Sequence, residues 1–205
     1  MYVRDAKNRD EVWLLDQIEA MGLDDSAFRS RDYVIAVDEE SGDKAGFGRI
    51  RAYTSSDGDR KQSGRREGEE DDVCELTSIG VLDDWRGQGV GAHVIERLVE
   101  YAHDEGFDVV YSLTDEGGYL VQFGFERLPE DDLPQVLKER IVEKREETAP
   151  DAKSMRLDVD SFTMPSRLRE RFKGAARQRD VPDEISPDDF GIDTEKATYK
   201  YDTGS

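Results

Sequence analysis

The chain has 205 residues, with 29 Lys and Arg against 49 Asp and Glu, a formal net charge of −20. A surface of that sign repels nucleic acid and anionic membranes at long range, so neither is expected as a partner. The length suits one domain with a proper core plus appendages, and the lone Cys74 excludes an internal disulfide and fits a reducing cytoplasm.

Acid pairs such as Asp24-Asp25, Asp83-Asp84 and Asp188-Asp189 punctuate every region. This halophile-like composition is what a salt-loving microbe would use, because concentrated ions screen the self-repulsion. Disorder has a similar signature, but residues 73 to 129 are too rich in periodic apolar sequence for it. The N-terminus has no apolar leader core, and no stretch approaches the length that crosses a bilayer, so a cytoplasmic location is expected.

Residues 2 to 5 read as a short strand. From Asp10, the residues Val12, Leu14, Leu15, Ile18 and Met21 recur at helical spacing until Gly22. Tyr33 to Val37 and Ala45 to Tyr53 form the two arms of a hairpin. Residues 54 to 72 contain no large apolar side chain and read as a mobile acidic and polar loop. Val73 to Val81 is a strand with Cys74 as a buried hydrophobe, and 89 to 105 is a helix with Val90, Val94, Ile95, Leu98, Val99 and Ala102 on one stripe.

Phe107 to Leu113 is again a strand, Gly117 to Phe123 a short helix, and Phe125 to Leu128 a short strand. Asp132 to Glu147 reads as a charged helix with Leu133, Val136, Leu137 and Ile141 inward, followed by a last strand through Met155, Leu157 and Val159. These elements predict an α/β (α+β) domain over 1–160 and an extension over 161–205. In the extension, a basic helix over 166–179, anchored by Leu168 and Phe172, is expected to lie on the protein's own acidic surface, ahead of a weakly ordered tail. The Asp189-Phe190-Gly191 triplet in that tail is accidental, since nothing else supports a kinase.

The segment Arg86-Gly87-Gln88-Gly89-Val90-Gly91 stands between a strand and a helix. Glycines allow positive φ and close approach of a ligand, and the free amides of a helix start face an anion with the positive end of the dipole behind them. A P-loop would need Gly-Lys-Ser/Thr here, and a dinucleotide fingerprint would need other glycine spacing and an early strand.

The pattern Arg/Gln-x-x-Gly-x-Gly/Ala, with "VLDDWRGQGVG", an amphipathic helix, a strand and "FGFERLP" in order, resembles the GNAT superfamily of acyl-CoA-dependent N-acyltransferases. A narrower resemblance, to the glutamate-acetylating amino-acid N-acetyltransferases, is carried by "CELTSIGV", "SLTDEGGYLVQFGF" and "DLPQVLKERI". The resemblance implies a GNAT-type mixed, mostly antiparallel sheet flanked by helices, with acetyl-CoA as co-substrate. It also implies that Arg86, Gly87, Gln88, Gly89, Val90 and Gly91 cradle the pyrophosphate, and that Ile79, Gly80 and Val81 pair with the pantetheine arm, an amide near Ile79 holding the oxyanion.

An acceptor amine is protonated at neutral pH and must lose a proton before it attacks a thioester. Glu75, at the start of the central strand, stands where the family often has a base. The family's acid, a tyrosine four residues before the Gly-Phe pair, corresponds to Leu120, and its neighbour Tyr119 is the candidate. Arg49, Arg51 and Arg127 are candidates to meet a substrate carboxylate. No metal is expected, and His93 and His103 read as exposed.

The expected function is transfer of an acetyl group to a primary amine, of an amino acid or another small metabolite. The alternatives are a non-catalytic acyl-CoA-binding module and an acetyltransferase of protein N-termini or lysines. Whether the chain forms a homodimer is left open.

Overall fold

Tyr33–Val37 is apolar at every position, so a strand built from it has no face for solvent and must sit between two layers. In the computed structural model, which describes residues 1–53 and 72–175, this strand, β2, is buried throughout. It belongs to a seven-stranded sheet with β1 (Tyr2–Asp5), β3 (Lys44–Tyr53), β4 (Val73–Val81), β5 (Val109–Thr114), β6 (Glu126–Arg127) and β7 (Lys153–Asp158), ordered β1-β2-β3-β4-β5-β7-β6. Every neighbouring pair is antiparallel except β4 and β5, which run parallel. The expected loop, apart from Asp72, and the tail with its Asp-Phe-Gly triplet lie outside the described residues.

Side-chain alternation along β2 assigns the layers. Val34 and Ala36 pack under α2 (Val90–Asp104) with Val94, Ile95 and Leu98, while Tyr33, Ile35 and Val37 pack with Leu14 and Ile18 of α1 (Glu11–Ala20). On the same face as α1, α4 (Gln135–Glu147) sets Leu137 and Ile141 against Val73 and Leu113. The short α3 (Gly117–Leu120) and α5 (Ser166–Lys173) join the α2 side through Leu120, Leu168 and Phe172. α2 lies very close to β3: a Cβ on Gly48 would stand 2.7 Å from Val94 Cγ1 and 2.8 Å from Leu98 Cδ1.

Three elements differ from the sequence reading. Val12 and Leu15 of α1 are 71% and 37% exposed, so its inward stripe is narrow and runs through Leu14 and Ile18. α4 starts at Gln135, because Pro134 disfavours helical backbone at Leu133 and itself takes the N-cap position; Glu130–Asp132 is a separate 3-10 turn. The helix expected over 166–179 runs from Ser166 to Lys173 before Gly174, and the remainder of that range past 175 is outside the described residues.

The entry to α1 is fixed by a buried carboxylate. Asp10 accepts a bidentate pair from Arg4 of β1 at 2.8 and 3.1 Å, the Lys7 amide at 2.9 Å and Lys44 Nζ of β3 at 2.9 Å. The Arg4 guanidinium, with help from Lys44 and Lys7, holds the Asp10 carboxyl well below the usual carboxylate range against the opposing effect of burial. A folded-state value below the unfolded one means stability that is present above about pH 4 and lost as pH falls toward the folded value. Asp10→Asn is therefore expected to lower the unfolding free energy by about 2 kcal/mol at neutral pH in urea titrations. The wild-type chain should lose that margin progressively as pH falls below about 4, and the variant should show a flatter acid limb.

Candidate functional site

Strand β4 is irregular on both edges. Toward β3, Phe47 pairs with Gly80 and Arg49 with Thr77, so Ser78 and Ile79 together oppose Gly48 alone, which is a β-bulge. Ser78 takes φ +47, rare for a non-glycine residue, and its hydroxyl donates to the Asp24 carbonyl at 2.7 Å. Toward β5, the register holds only at Glu75 and Tyr111. Beyond that pair, the Ser112 hydroxyl donates to the Leu76 carbonyl at 3.1 Å, and the strands part.

A cavity of about 820 Å³ opens in the gap. It is lined by Leu76, Thr77, Ser78, Ile79 and Val81 of β4 and by Ser112 to Glu116 opposite. One end meets Trp85, Arg86, Gly87, Gly89, Val90 and Gly91; the other meets Asp24 and Lys144. The cavity thus reaches from the α2 side of the sheet to the α1 and α4 side. Of the residues expected to hold the coenzyme, Gly80 and Gln88 do not line it. Gly80 is packed against Met21 and Phe47 on the α1 side, and Gln88 Nε2 donates to the Asp84 carbonyl at 3.2 Å.

The glycine loop is anchored by Trp85, which is 2% exposed, and turns through left-handed backbone at Gly87 (φ +74) and Gly89 (φ +79), the N-cap of α2. The amides that open a helix have no partner in the preceding turn, so those after Gly89 remain available at the cavity's end. The missing side chain at Gly89 makes room for protein: a Cβ there would stand 2.4 Å from the carbonyl oxygen of Leu168 in α5. At Gly91, by contrast, a Cβ would be 3.3 Å from Val81 Cγ2 and 3.8 Å from Tyr119 Oη, both residues of the cavity wall.

Leu120 is core, 5% exposed, whereas Tyr119 lines the cavity with its ring edge-on to Phe123. Burial pushes the Tyr119 phenol above its ordinary value, with Arg167 opposing, so the hydroxyl carries its proton at neutral pH.

Glu75 is fully buried and does not line the cavity. Its carboxylate accepts from Tyr53 Oη at 2.7 Å and faces Lys144 Nζ at 3.4 Å and Arg140 Nε at 3.8 Å. Lys144 does reach the cavity, and Nζ also donates to Thr77 Oγ1 at 3.0 Å. Burial, reinforced by Arg140, lowers the Lys144 pKa against the opposing pull of Glu75. Arg140 continues the network to Asp24, which also faces Arg51 Nη1 at 3.7 Å. Sequence reading missed Arg140 and Lys144, although both fall on the stripe of Leu137 and Ile141 at helical spacing; that they are charged at inward positions was the signal.

Arg49, Arg51 and Arg127 do not line the cavity. Arg49 is 1% exposed and donates to the carbonyls of Ser26 at 2.7 Å and Ala27 at 2.5 Å, holding the segment that leads into β2. Arg51 donates to Ser26 Oγ at 3.0 Å. Arg127 is exposed on β6, an edge strand of the sheet. His93, read as exposed, is buried because the Phe172 ring stacks on it at 3.8 Å, and burial lowers its pKa. Among the described residues no cluster of His, Cys, Asp and Glu is arranged to hold a metal, and no helix is long and apolar enough to cross a membrane.

Residues 3–122 match the family model described as Acetyltransferase (GNAT) family. An uncharacterized N-acetyltransferase of Chlorobaculum tepidum is 27% identical over 63 residues, 31% of this chain and 41% of that protein. The fold is similar to N-acetylglutamate synthase from Neisseria gonorrhoeae complexed with coenzyme A and N-acetyl-glutamate. The TM-score is 0.57 at 15% identity, over 77% of this chain and 34% of that one. It is equally similar to Rv2747 from Mycobacterium tuberculosis in complex with CoA and NLQ, with a TM-score of 0.57 at 14% identity, over 77% of this chain and 99% of that one. The matched region thus spans well under half of the Chlorobaculum and Neisseria proteins.

The charge network makes a stability prediction independent of any activity. Glu75→Gln leaves Arg140 and Lys144 buried with less compensating charge, so unfolding in urea is expected to show a loss of about 3 kcal/mol. Glu143→Gln, which alters the exposed partner of Arg140, is expected to stay within about 0.5 kcal/mol of wild type.

Proposed function

Because this chain belongs to the GNAT acetyltransferase family, we propose that it moves an acetyl group from acetyl-CoA to the primary amine of an amino acid or another small metabolite. The observation that carries the proposal is one cavity joining a glycine-lined helix start to a buried chain of titratable groups. Acetyl-CoA supplies an activated thioester, and the protein has to hold it, take a proton from the acceptor and return one to the departing thiolate.

In this reading the amides after Gly89, with Arg86 and Gly87, hold the pyrophosphate. The β4 edge from Ile79 to Val81, free of β5, offers backbone groups to the pantetheine arm. Tyr119, protonated and beside Gly91, is the acid for the thiol.

Glu75 keeps the role of base through an intermediary. Lys144 receives the amine's proton at the cavity wall while passing one of its own to the Glu75 carboxylate, so charge does not build up on the lysine. Glu75 is thus a positioning and relay residue, and Lys144 is the group in contact with the acceptor. The N-acetyl-glutamate bound to the Neisseria relative makes amino acids the first acceptors to try.

The test is acetyl-CoA offered with a panel of amino acids and small amines, read as release of free thiol. Turnover with at least one amine is expected, and tight binding of acetyl-CoA with no turnover across the panel would return the non-catalytic alternative. Gly91→Asp is a sharper probe of the donor seat than Gly89→Asp, because Gly89 is already closed by α5 whereas Gly91 faces the cavity. Calorimetry should show CoA bound at least about 10-fold more weakly by Gly91→Asp. Tyr119→Phe should lower kcat by about 10-fold with little change in CoA affinity, a modest factor because a thiol of pKa about 8.5 also takes its proton from water.

A further inference from the structure

α5 carries Arg167, Arg169, Arg171 and Lys173 against the single acid Glu170, a cationic segment in a chain of net charge −20. Its cations fall into two groups. Arg169 Nη2 meets Glu96 Oε1 at 2.7 Å, and Lys173 Nζ meets Glu170 Oε1 at 2.9 Å. Arg167 and Arg171, four residues apart and so on one side of the helix, have neutral partners instead. Arg167 Nη2 donates to Gln122 Oε1 at 2.5 Å, and Arg171 Nη1 to the Gly87 carbonyl at 3.4 Å. Among the described residues neither forms an ion pair, and both line the cavity beside Gly87 and Gly89.

The helix that carries them is seated. Leu168 and Phe172 are 5% and 7% exposed, Phe172 stacks on His93, and the Leu168 carbonyl closes over Gly89. The two guanidinium groups therefore stand at the mouth of the cavity on a fixed element, next to the start of α2.

We propose that Arg167 and Arg171 belong to the donor site and bind phosphoryl groups of acetyl-CoA lying against the glycine loop. This rests on the acyltransferase reading above. A polyanionic donor approaching a strongly acidic protein meets long-range repulsion, which local cations must offset. Arginine suits the task, because its planar fork meets phosphate oxygens in pairs. Exchanging a side-chain amide or a backbone carbonyl for a phosphate breaks no ion pair, whereas Arg169 and Lys173 would each have to leave a carboxylate. Arg86, the loop's own cation, is shared with Asp83 at 3.0 Å, so the extension adds charge that the loop commits elsewhere.

The experiment is calorimetric titration of CoA into the full chain, its Arg167→Gln/Arg171→Gln variant, the corresponding double lysine variant and Arg169→Gln, with melting temperatures for all. Expected are a Kd about 10-fold or more weaker in the double glutamine variant, partial recovery with lysines, wild-type affinity in Arg169→Gln, and melting temperatures within a few degrees of one another. Unchanged or tighter CoA binding by the double glutamine variant overturns the proposal. So does a weakening that comes with a large fall in melting temperature and no recovery with lysines, which assigns the pair to holding α5 in place. If the wild-type chain itself does not bind CoA, the acyltransferase reading falls; if it does and the double variant matches it, only this inference falls.

Discussion

The parting of β4 from β5 is the constraint on which the rest depends. An antiparallel meander runs unbroken from β1 to β4, and a second antiparallel group joins β5, β7 and β6, yet the two halves share one register pair, Glu75 with Tyr111. Past that pair, β4 keeps its partner on one side and loses it on the other. The bulge at Ser78 and Ile79 adds a local turn to the strand, and the left-handed Ser78 is held by its bond to the Asp24 carbonyl. A buried strand edge cannot remain without hydrogen-bonding partners, so a gap of this kind calls for water or a ligand with groups that match the edge. The glycine loop begins directly after the free edge, and α2 carries its open end to the same gap. The free edge and the open helix start follow one another in the chain for that reason.

The same parting explains why so much charge is buried nearby. Glu75 lies at the last point where the strands are joined, and on the α4 side it is met by Lys144 and Arg140, with Asp24 and Arg51 completing the set. Each of these groups would be costly to bury alone, and the arrangement persists because every member has an opposite charge or a hydrogen-bond partner in reach. The arrangement also places a titratable chain against the cavity while keeping its carboxylate out of it. Tyr53 on the far side of Glu75 shows the cost: burial first, then the neighbouring carboxylate, push its phenol far above the ordinary value, so it acts as a donor to Glu75 throughout the physiological range.

How much of this was legible in the sequence depended on whether a residue's role is local. The strands were readable because Tyr33–Val37 and Val73–Val81 have few polar positions, and α2 because its apolar residues repeat at helical spacing. The glycine loop was readable as a turn into a helix because its left-handed backbone is set by glycines within six consecutive residues. Glu75 was singled out as a candidate base without its partner, since Lys144 stands 69 positions away and nothing local announces the pair. Arg49 read as a candidate for a substrate carboxylate because alternation in β3 does not reveal that carbonyls of Ser26 and Ala27 lie across from it. Leu168 and Phe172 told that one side of α5 is apolar and its charge that it would lie on the chain's own acidic surface, but neither told that it docks at Gly89 and His93. His93 followed from the same ignorance, for its burial is supplied by Phe172.

Gly89 brings these threads together. Viewed as sequence, it is one of several glycines at the mouth of a helix, each with the same apparent reason to be there. In the fold the glycines divide by what approaches them. Gly91 keeps space toward Val81 and Tyr119 at the cavity wall, Gly87 turns the chain with nothing beside its missing side chain, and Gly89 admits the backbone of α5. A larger residue at Gly89 would meet two independent obstacles, its left-handed φ of +79 and the Leu168 carbonyl. Because α5 is displaced by anything that fills this position, the extension and the loop are packed as one unit. The cations on α5 are then held at a set distance from the helix start by a contact that no charge is needed to make. An acidic chain can in this way present a cationic patch at one opening without spreading positive charge over its surface, and the patch stays in register with the amides beside it.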